Sequence, residues 1–222
     1  MRVEDTGIQN DAPDGIRAVL CDVGGVLIHK VRTPELRQWE TFLRLQPMDL
    51  PLAIWLCESA IRATLGKGSV DEVWDEVQRK YALTDAERET FRHDFTACDQ
   101  VDTEFVQFLH MVRKTTKIAL LSNAWPDARH VFGKVFGLEA LADMLILSCE
   151  EGLAKPDQRI YDLAAERLQL PHAAIVFIDD YPPHVSAARS CGMRGVIFET
   201  REQTMAELQA SLGGALPGLR IA

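Results

Sequence analysis

The chain has 222 residues, 47% of them hydrophobic and 26% charged, proportions that exclude disordered, collagen-like and low-complexity classes for its bulk. It carries 24 Lys and Arg against 33 Asp and Glu, a net charge of -9. An acidic chain repels phosphate backbones at long range, which argues against a general nucleic-acid binder.

This length suits one domain with a substantial insertion. It is enough to bury roughly 70% of the unfolded surface without disulfides or a structural metal. Residues 1–15 (MRVEDTGIQNDAPDG) lack the basic start and apolar stretch of a signal peptide. No run approaches the ~18 apolar residues of a membrane span. The five cysteines (Cys21, Cys57, Cys98, Cys149, Cys191) are scattered, with no CxxC pair. Neither a zinc site nor a disulfide framework is suggested, and reduced thiols in a cytoplasmic protein are expected.

Arg17–Cys21 (RAVLC) is the first apolar run of strand length. The interval from His29 to Lys114 then reads as helices throughout, at Pro34–Leu45, Leu52–Leu65, Ser69–Tyr81, Asp85–Phe95 and Thr103–Arg113. Ser69 with Glu72, and Thr84 with Glu87, carry the capping-box spacing. Beyond it, strand-like Lys117–Leu121, Met144–Leu147, Ala174–Ile178 and Gly195–Phe198 alternate with helical Asp127–Phe136, Gln158–Leu168 and His184–Cys191. The strands lack strict alternation, as strands buried on both faces do. The prediction is an α/β fold, a doubly wound parallel sheet formed by residues 15–30 and 104–222. Residues 31–103 are predicted to form an inserted helical cap. A crossover needs only about a dozen residues, so the excess must form a separate unit. Residues 1–14 and 213–222 read as loose.

Open α/β sheets bind ligands beyond the carboxyl ends of their strands. Asp22 follows the first strand, Ser122 and Asn123 end the second, and Asp179 and Asp180 close the fourth. Lys155 lies in the loop after the third. Taken singly, each has a structural reading as a turn, cap or solvated loop residue, and Gly24-Gly25 alone is any tight turn. Asp179-Asp180 is more specific, because adjacent acids at the end of a buried strand repel unless a cation lies beside them.

Four segments in this order, CDVGGVL, LLSNA, EGLAKPDQRIY and FIDDYPPH, resemble the motifs of the haloacid dehalogenase superfamily. The chain resembles its phosphatase-like subgroup, in which a small helical cap follows the first motif. The resemblance covers residues 16–205 and implies a Rossmann-like fold and a Mg²⁺-dependent phosphatase. Asp22 would be the nucleophile, forming an aspartyl-phosphate. Asp22, the Gly24 carbonyl and Asp180 would hold Mg²⁺, with Asp179 direct or one shell behind. Ser122, Lys155 and the backbone near Asn123 and Gly25 would bind the phosphoryl group. The implied partner is a small phosphorylated metabolite, a sugar phosphate being one candidate, with neither nucleic acid nor membrane involved.

One position departs from the pattern. Family phosphatases carry a second Asp two residues after the nucleophile, as general acid and base. Here that position is Gly24. His29, His184, a cap carboxylate or water would have to serve instead, or the leaving group must need little help. A non-catalytic binder of phosphate esters and a 2-haloacid dehalogenase are the rival readings. Trp39, Trp55 and Trp74 read as cap core, and Arg62 and Lys67 as solvated. Trp125, just past Ser122-Asn123, is a candidate pocket wall.

Overall fold

The first apolar run becomes β1 (Ala18–Cys21), the middle strand of a five-stranded sheet. Its alternating side chains serve two cores. Val19 and Cys21 join one cluster, and Ala18 and Leu20 the other. That double duty explains a strand sequence with no polar face. The computed structural model describes residues 15–47 and 49–213; the ends that read as loose, 1–14 and 214–222, lie outside them.

β2 (Ile28–Lys30) and β3 (Asp99–Val101) bracket five helices, α1 (Pro34–Phe42), α2 (Asp49–Trp55), α3 (Glu58–Thr64), α4 (Val70–Tyr81) and α5 (Asp85–Ala97). The chain continues through α6 (Thr103–Val112), β4 (Lys117–Ser122), α7 (Ala128–His130), β5 (Met144–Leu147), α8 (Ser148–Glu151) and α9 (Gln158–Leu168). It closes with β6 (Ile175–Asp179), α10 (Pro182–Ser190), β7 (Arg194–Ile197) and α11 (Arg201–Ser211). The main sheet has the order β5-β4-β1-β6-β7, and every pair in it is parallel. This is the doubly wound Rossmann-like α/β fold. Cys21 pairs with Leu120 of β4 and Ile178 of β6. Asp22, Ser122 and Asp179 therefore emerge at one edge.

Residues 31–98 build a helical layer with its own core, in which Trp74, Phe91 and Phe95 meet edge to face and Trp39 packs on Phe91. Both expected capping boxes form, Ser69 with Glu72 and Thr84 with Glu87. The interval is not wholly helical, however. β2 and β3 pair antiparallel at the two ends of the insert. Asp99-Gln100-Val101 has no apolar run, so its strand geometry comes from pairing with β2 and not from local preference. Lys30 fastens this junction, with Nζ 2.7 Å from the Phe95 carbonyl oxygen and 2.8 Å from Asp99 Oδ1.

Three further differences have local causes. The single helix expected over Leu52–Leu65 divides at Cys57, the N-cap of α3. The amides of Glu58 and Ser59 donate to the Glu76 carboxylate of α4 at 3.1 and 2.7 Å, so a second helix start is satisfied from outside. Asp127–Phe136 forms only the short α7 and a π turn over Val131–Val135. α11 was not expected; it buries Thr204 and Leu208 among its eleven residues, which leaves little apolar periodicity to read. Among the described residues no helix is long and apolar enough to cross a membrane.

The insert core yields a stability prediction. Phe91 is fully buried against Trp39, Trp74 and Phe95. Phe91→Ala should lower unfolding free energy by roughly 3–5 kcal/mol in urea titrations. A loss below 1 kcal/mol would show that this cluster does not hold the insert together.

Candidate active site

Chain direction delivers Asp22 to the edge, and a tight loop fixes it there. The Asp22 amide donates to the Ile178 carbonyl of β6 at 2.8 Å. The Val23 carbonyl accepts from the amides of Val26, Leu27 and Ile28 at 3.4, 2.8 and 2.9 Å. The Gly25 amide donates to the Ile28 carbonyl at 2.8 Å, so it is engaged within the loop. No hydrogen bond reaches the Gly24 carbonyl among the described residues.

The two glycines differ in necessity. Gly25 has φ of +80°, and a Cβ there would lie 2.1 Å from Asp180 Oδ2. Only glycine lets the Asp180 carboxylate of the fourth motif tuck over the loop. A Cβ on Gly24 would meet nothing within 4 Å. The backbone does not demand glycine where the family's second aspartate would stand.

Lys155 joins the edge into a cluster. Its side chain is fully buried, with Nζ 2.9 Å from Asp22 Oδ1 and 2.6 Å from Asp179 Oδ2. Asp22 Oδ1 also accepts the Val23 amide at 2.7 Å. Asp179 Oδ1 accepts the Tyr181 amide at 2.8 Å, and His184 Nδ1 lies 3.1 Å from both Asp179 oxygens. Asp22, Asp179 and His184 offer atoms within 4.8 Å of one another, a spacing open to a cation. The lysine ammonium already lies between the two carboxylates. Asp179 is thus spent on holding Lys155, while Asp22 Oδ2 has no partner among the described residues.

Asn123 has a different part from the one its position suggested. Its side chain clamps the Lys155 backbone, Nδ2 donating to the carbonyl and Oδ1 accepting the amide, both at 2.8 Å. Lys155 is carried by a loop remote in sequence, and this clamp sets its place. Nothing in the sequence pairs these residues; only the meeting of the two loops does. Ser122 is buried at the end of β4, and the following turn is held by Ser148 Oγ, which accepts the Ala124 amide at 2.9 Å. The two candidate acids separate. His29 contacts Asp102 and Phe198, whereas His184 belongs to the cluster.

The electrostatics call for more positive charge. Two buried carboxylates, Asp22 and Asp179, share one ammonium, with the exposed Asp180 and the partly buried His184 beside them. Burial, reinforced by the charge of Asp179, pushes Asp22 up to about 8 although Lys155 opposes it. Burial also pushes Asp179 up, but His184 and Lys155 outweigh it and hold this group at about 2. Asp180 is raised by burial of its carboxyl group and by Asp179. Lys155 is lowered by burial, but the two carboxylates more than compensate, and its pKa is raised. A divalent cation on the free side of Asp22, near the Gly24 carbonyl and Asp180, would balance the cluster with hard oxygen donors.

Two outcomes follow. Gly25→Ala should cost about 1–3 kcal/mol of stability from strain and displacement of Asp180, while Gly24→Ala stays within about 0.5 kcal/mol; equal losses in urea titrations would contradict the loop geometry. In chelator-treated protein, native Asp22 keeps a proton to about 8 that the unfolded chain releases near 3.8. Its stabilising contribution is therefore complete below the unfolded value and is lost as pH rises through the native one. Asp22→Asn should flatten that decline between about pH 4 and 8, the window these values span, and an unchanged slope would refute it.

A family model for haloacid dehalogenase-like hydrolases matches residues 16–192. The chain is 26% identical over 217 residues to the drimenol cyclase drtB of Aspergillus calidoustus, covering 89% of this chain and 37% of that protein. It is 33% identical over 112 residues to the phosphatase MT3486 of Mycobacterium tuberculosis, covering 48% of this chain and 51% of the relative. The chain spans 37% or less of the length of the first curated relatives it matches. Among solved structures, the HAD family enzyme bt-2542 of Bacteroides thetaiotaomicron, in complex with magnesium and inorganic phosphate, superposes with a TM-score of 0.68. It is 19% identical, over 82% of this chain and 94% of that one, a likeness of fold. Motif order, sheet topology and a family match over most of the length converge: the chain belongs to the haloacid dehalogenase-like hydrolases.

Proposed function

We propose that the protein is a Mg²⁺-dependent phosphatase that cleaves a small phosphate monoester through an aspartyl-phosphate on Asp22. The observation that carries this reading is the pair of buried carboxylates, Asp22 and Asp179, that share one ammonium beside the exposed Asp180, with one oxygen of the nucleophile free. The phosphatase and the magnesium–phosphate complex among the similar proteins support it.

The residues divide the work. Lys155 and the Val23 amide hold Asp22 Oδ1, so Oδ2 is directed to the phosphorus. The new Oδ2–phosphorus bond forms as the ester oxygen leaves and takes a proton from water, and a second water then attacks the phosphorus to free the Asp22 carboxylate and inorganic phosphate. Ser122 donates to a phosphoryl oxygen, and Lys155 offsets the growing negative charge. Asp179 acts through Lys155, held in turn by His184 and the Tyr181 amide. Asn123 places Lys155 through its backbone. The residues that would hold Mg²⁺ are Asp22, the Gly24 carbonyl and Asp180, and the ion when bound supplies Lewis-acid charge neutralisation at the phosphoryl group. The partner is a small phosphorylated metabolite, not a nucleic acid or membrane.

Gly24 leaves the ester oxygen without the usual carboxylic acid, a loss of about 10²–10⁴ in rate. The open space at Gly24 makes the missing group restorable. Gly24→Asp should raise kcat on an aryl phosphate by up to about 10²-fold; no gain with metal still bound would refute the missing-acid argument. Gly24 also favours a second reading, a phosphate-ester binder without turnover. A screen of phosphorylated metabolites with Mg²⁺ and with EDTA decides between them. Metal-dependent phosphate release, with Mg²⁺-dependent capture of beryllium fluoride that Asp22→Asn abolishes, is expected. Binding without release or capture would establish the binder, and activity that persists in EDTA would point to a dehalogenase.

A further inference from the structure

The insert presents an apolar stripe beside the proposed phosphate site. α2 buries Leu50 and Ile54 in the insert core. Its other side and the residue after it leave Leu52, Trp55 and Leu56 exposed by 58, 39 and 66%. Spacings of three and four residues put these side chains on one face. Large apolar groups gathered on a solvent-facing helix side mark a binding surface more often than stray exposure does.

Contacts tie this stripe to the site. The Trp55 ring lies 4.2 Å, centroid to centroid, from the ring of Trp125. Trp125 follows Ser122, the hydroxyl assigned to the phosphoryl group, by three residues, and the turn between them is anchored on Ser148. Trp125 also packs into the insert core, so it spans both layers. Its side chain is nearly buried, yet Nε1 has no hydrogen-bond partner. Arg62, read from the sequence as solvated, is tied to Glu72 Oε2 at 2.8 Å.

We propose that Leu52, Trp55, Leu56 and Trp125 form the subsite for the leaving group, and that the substrate is the phosphate monoester of an apolar alcohol and not of a sugar. This deepens the phosphatase reading and rests on it. The apolar tail lies along the stripe, removing it from water while the phosphoryl group meets Asp22.

The test is a chain-length series. With Mg²⁺ present, kcat/KM should rise at least about tenfold from butyl to octyl phosphate, each buried methylene being worth up to about fourfold. Octyl phosphate should also exceed glucose 6-phosphate. Isothermal titration of the Mg²⁺-loaded protein with methyl- and octylphosphonate reads binding alone and should show the same order. In the double variant Leu52→Ser with Leu56→Ser, both exposed and thus foldable, the rise should fall to about threefold or less. Val135→Ser, at an exposed residue away from the insert, should keep it. A flat series, or one that the double variant leaves steep, overturns the apolar subsite. So does a double variant that alters only the oligomeric mass, because the stripe would then dock a second copy. Failure of the phosphatase reading looks different: no ester of any length is hydrolysed and beryllium fluoride is not captured.

Discussion

A single buried ammonium holds two carboxylates at the edge of the sheet, and much of the site follows from that shortage of positive charge. Lys155 Nζ reaches Asp22 and Asp179 together, fully out of solvent. Burying charge is tolerable only when it is paired and hydrogen-bonded. Asp179 meets that condition through Lys155, His184 and the Tyr181 amide, and stays ionised. Asp22 meets it on one oxygen only, through Lys155 and the Val23 amide, and burial drives it toward neutrality. A neutral Asp22 is a poor nucleophile. Under the proposed reading a further cation would keep Asp22 ionised, which would couple charge balance to chemistry.

The surrounding backbone makes that cluster possible. Asp22 is seated by β1, by the Ile178 carbonyl and by the turn closed on the Val23 carbonyl. Asp180 approaches because Gly25 has no Cβ. Lys155 arrives on a loop clamped by Asn123. Each device lies on a different segment, and the parallel register of β4, β1 and β6 brings the segments together. Precise placement would matter for the proposed phosphoryl transfer, which depends chiefly on positioning and electrostatics.

The helical insert is a second unit of packing, joined to the sheet layer by the β2–β3 pair and by Trp125. Its core of aromatic rings is separate from the two cores flanking the sheet. A layer with its own core can vary its outer face without disturbing Asp22 or Lys155. Under the proposed reading that division would place the chemistry in the sheet and leave the insert free to select what is attached to phosphate.

The amino-acid sequence by itself determined the parallel strands, the helical insert and the capping boxes, because buried runs and cap spacing are local properties. It also placed Asp22, Ser122, Lys155 and the Asp179-Asp180 pair at one sheet edge, since strand ends in an open sheet converge and the motif order was legible. It did not disclose β3, whose residues have no strand signature, nor the break at Cys57, which depends on Glu76 from another helix. Nor could it separate Gly24 from Gly25, assign Asn123 to Lys155, or join Trp55 to Trp125. Those facts are contacts between segments distant along the chain, and only tertiary structure, by bringing such segments within a few ångströms, decides which groups face each other.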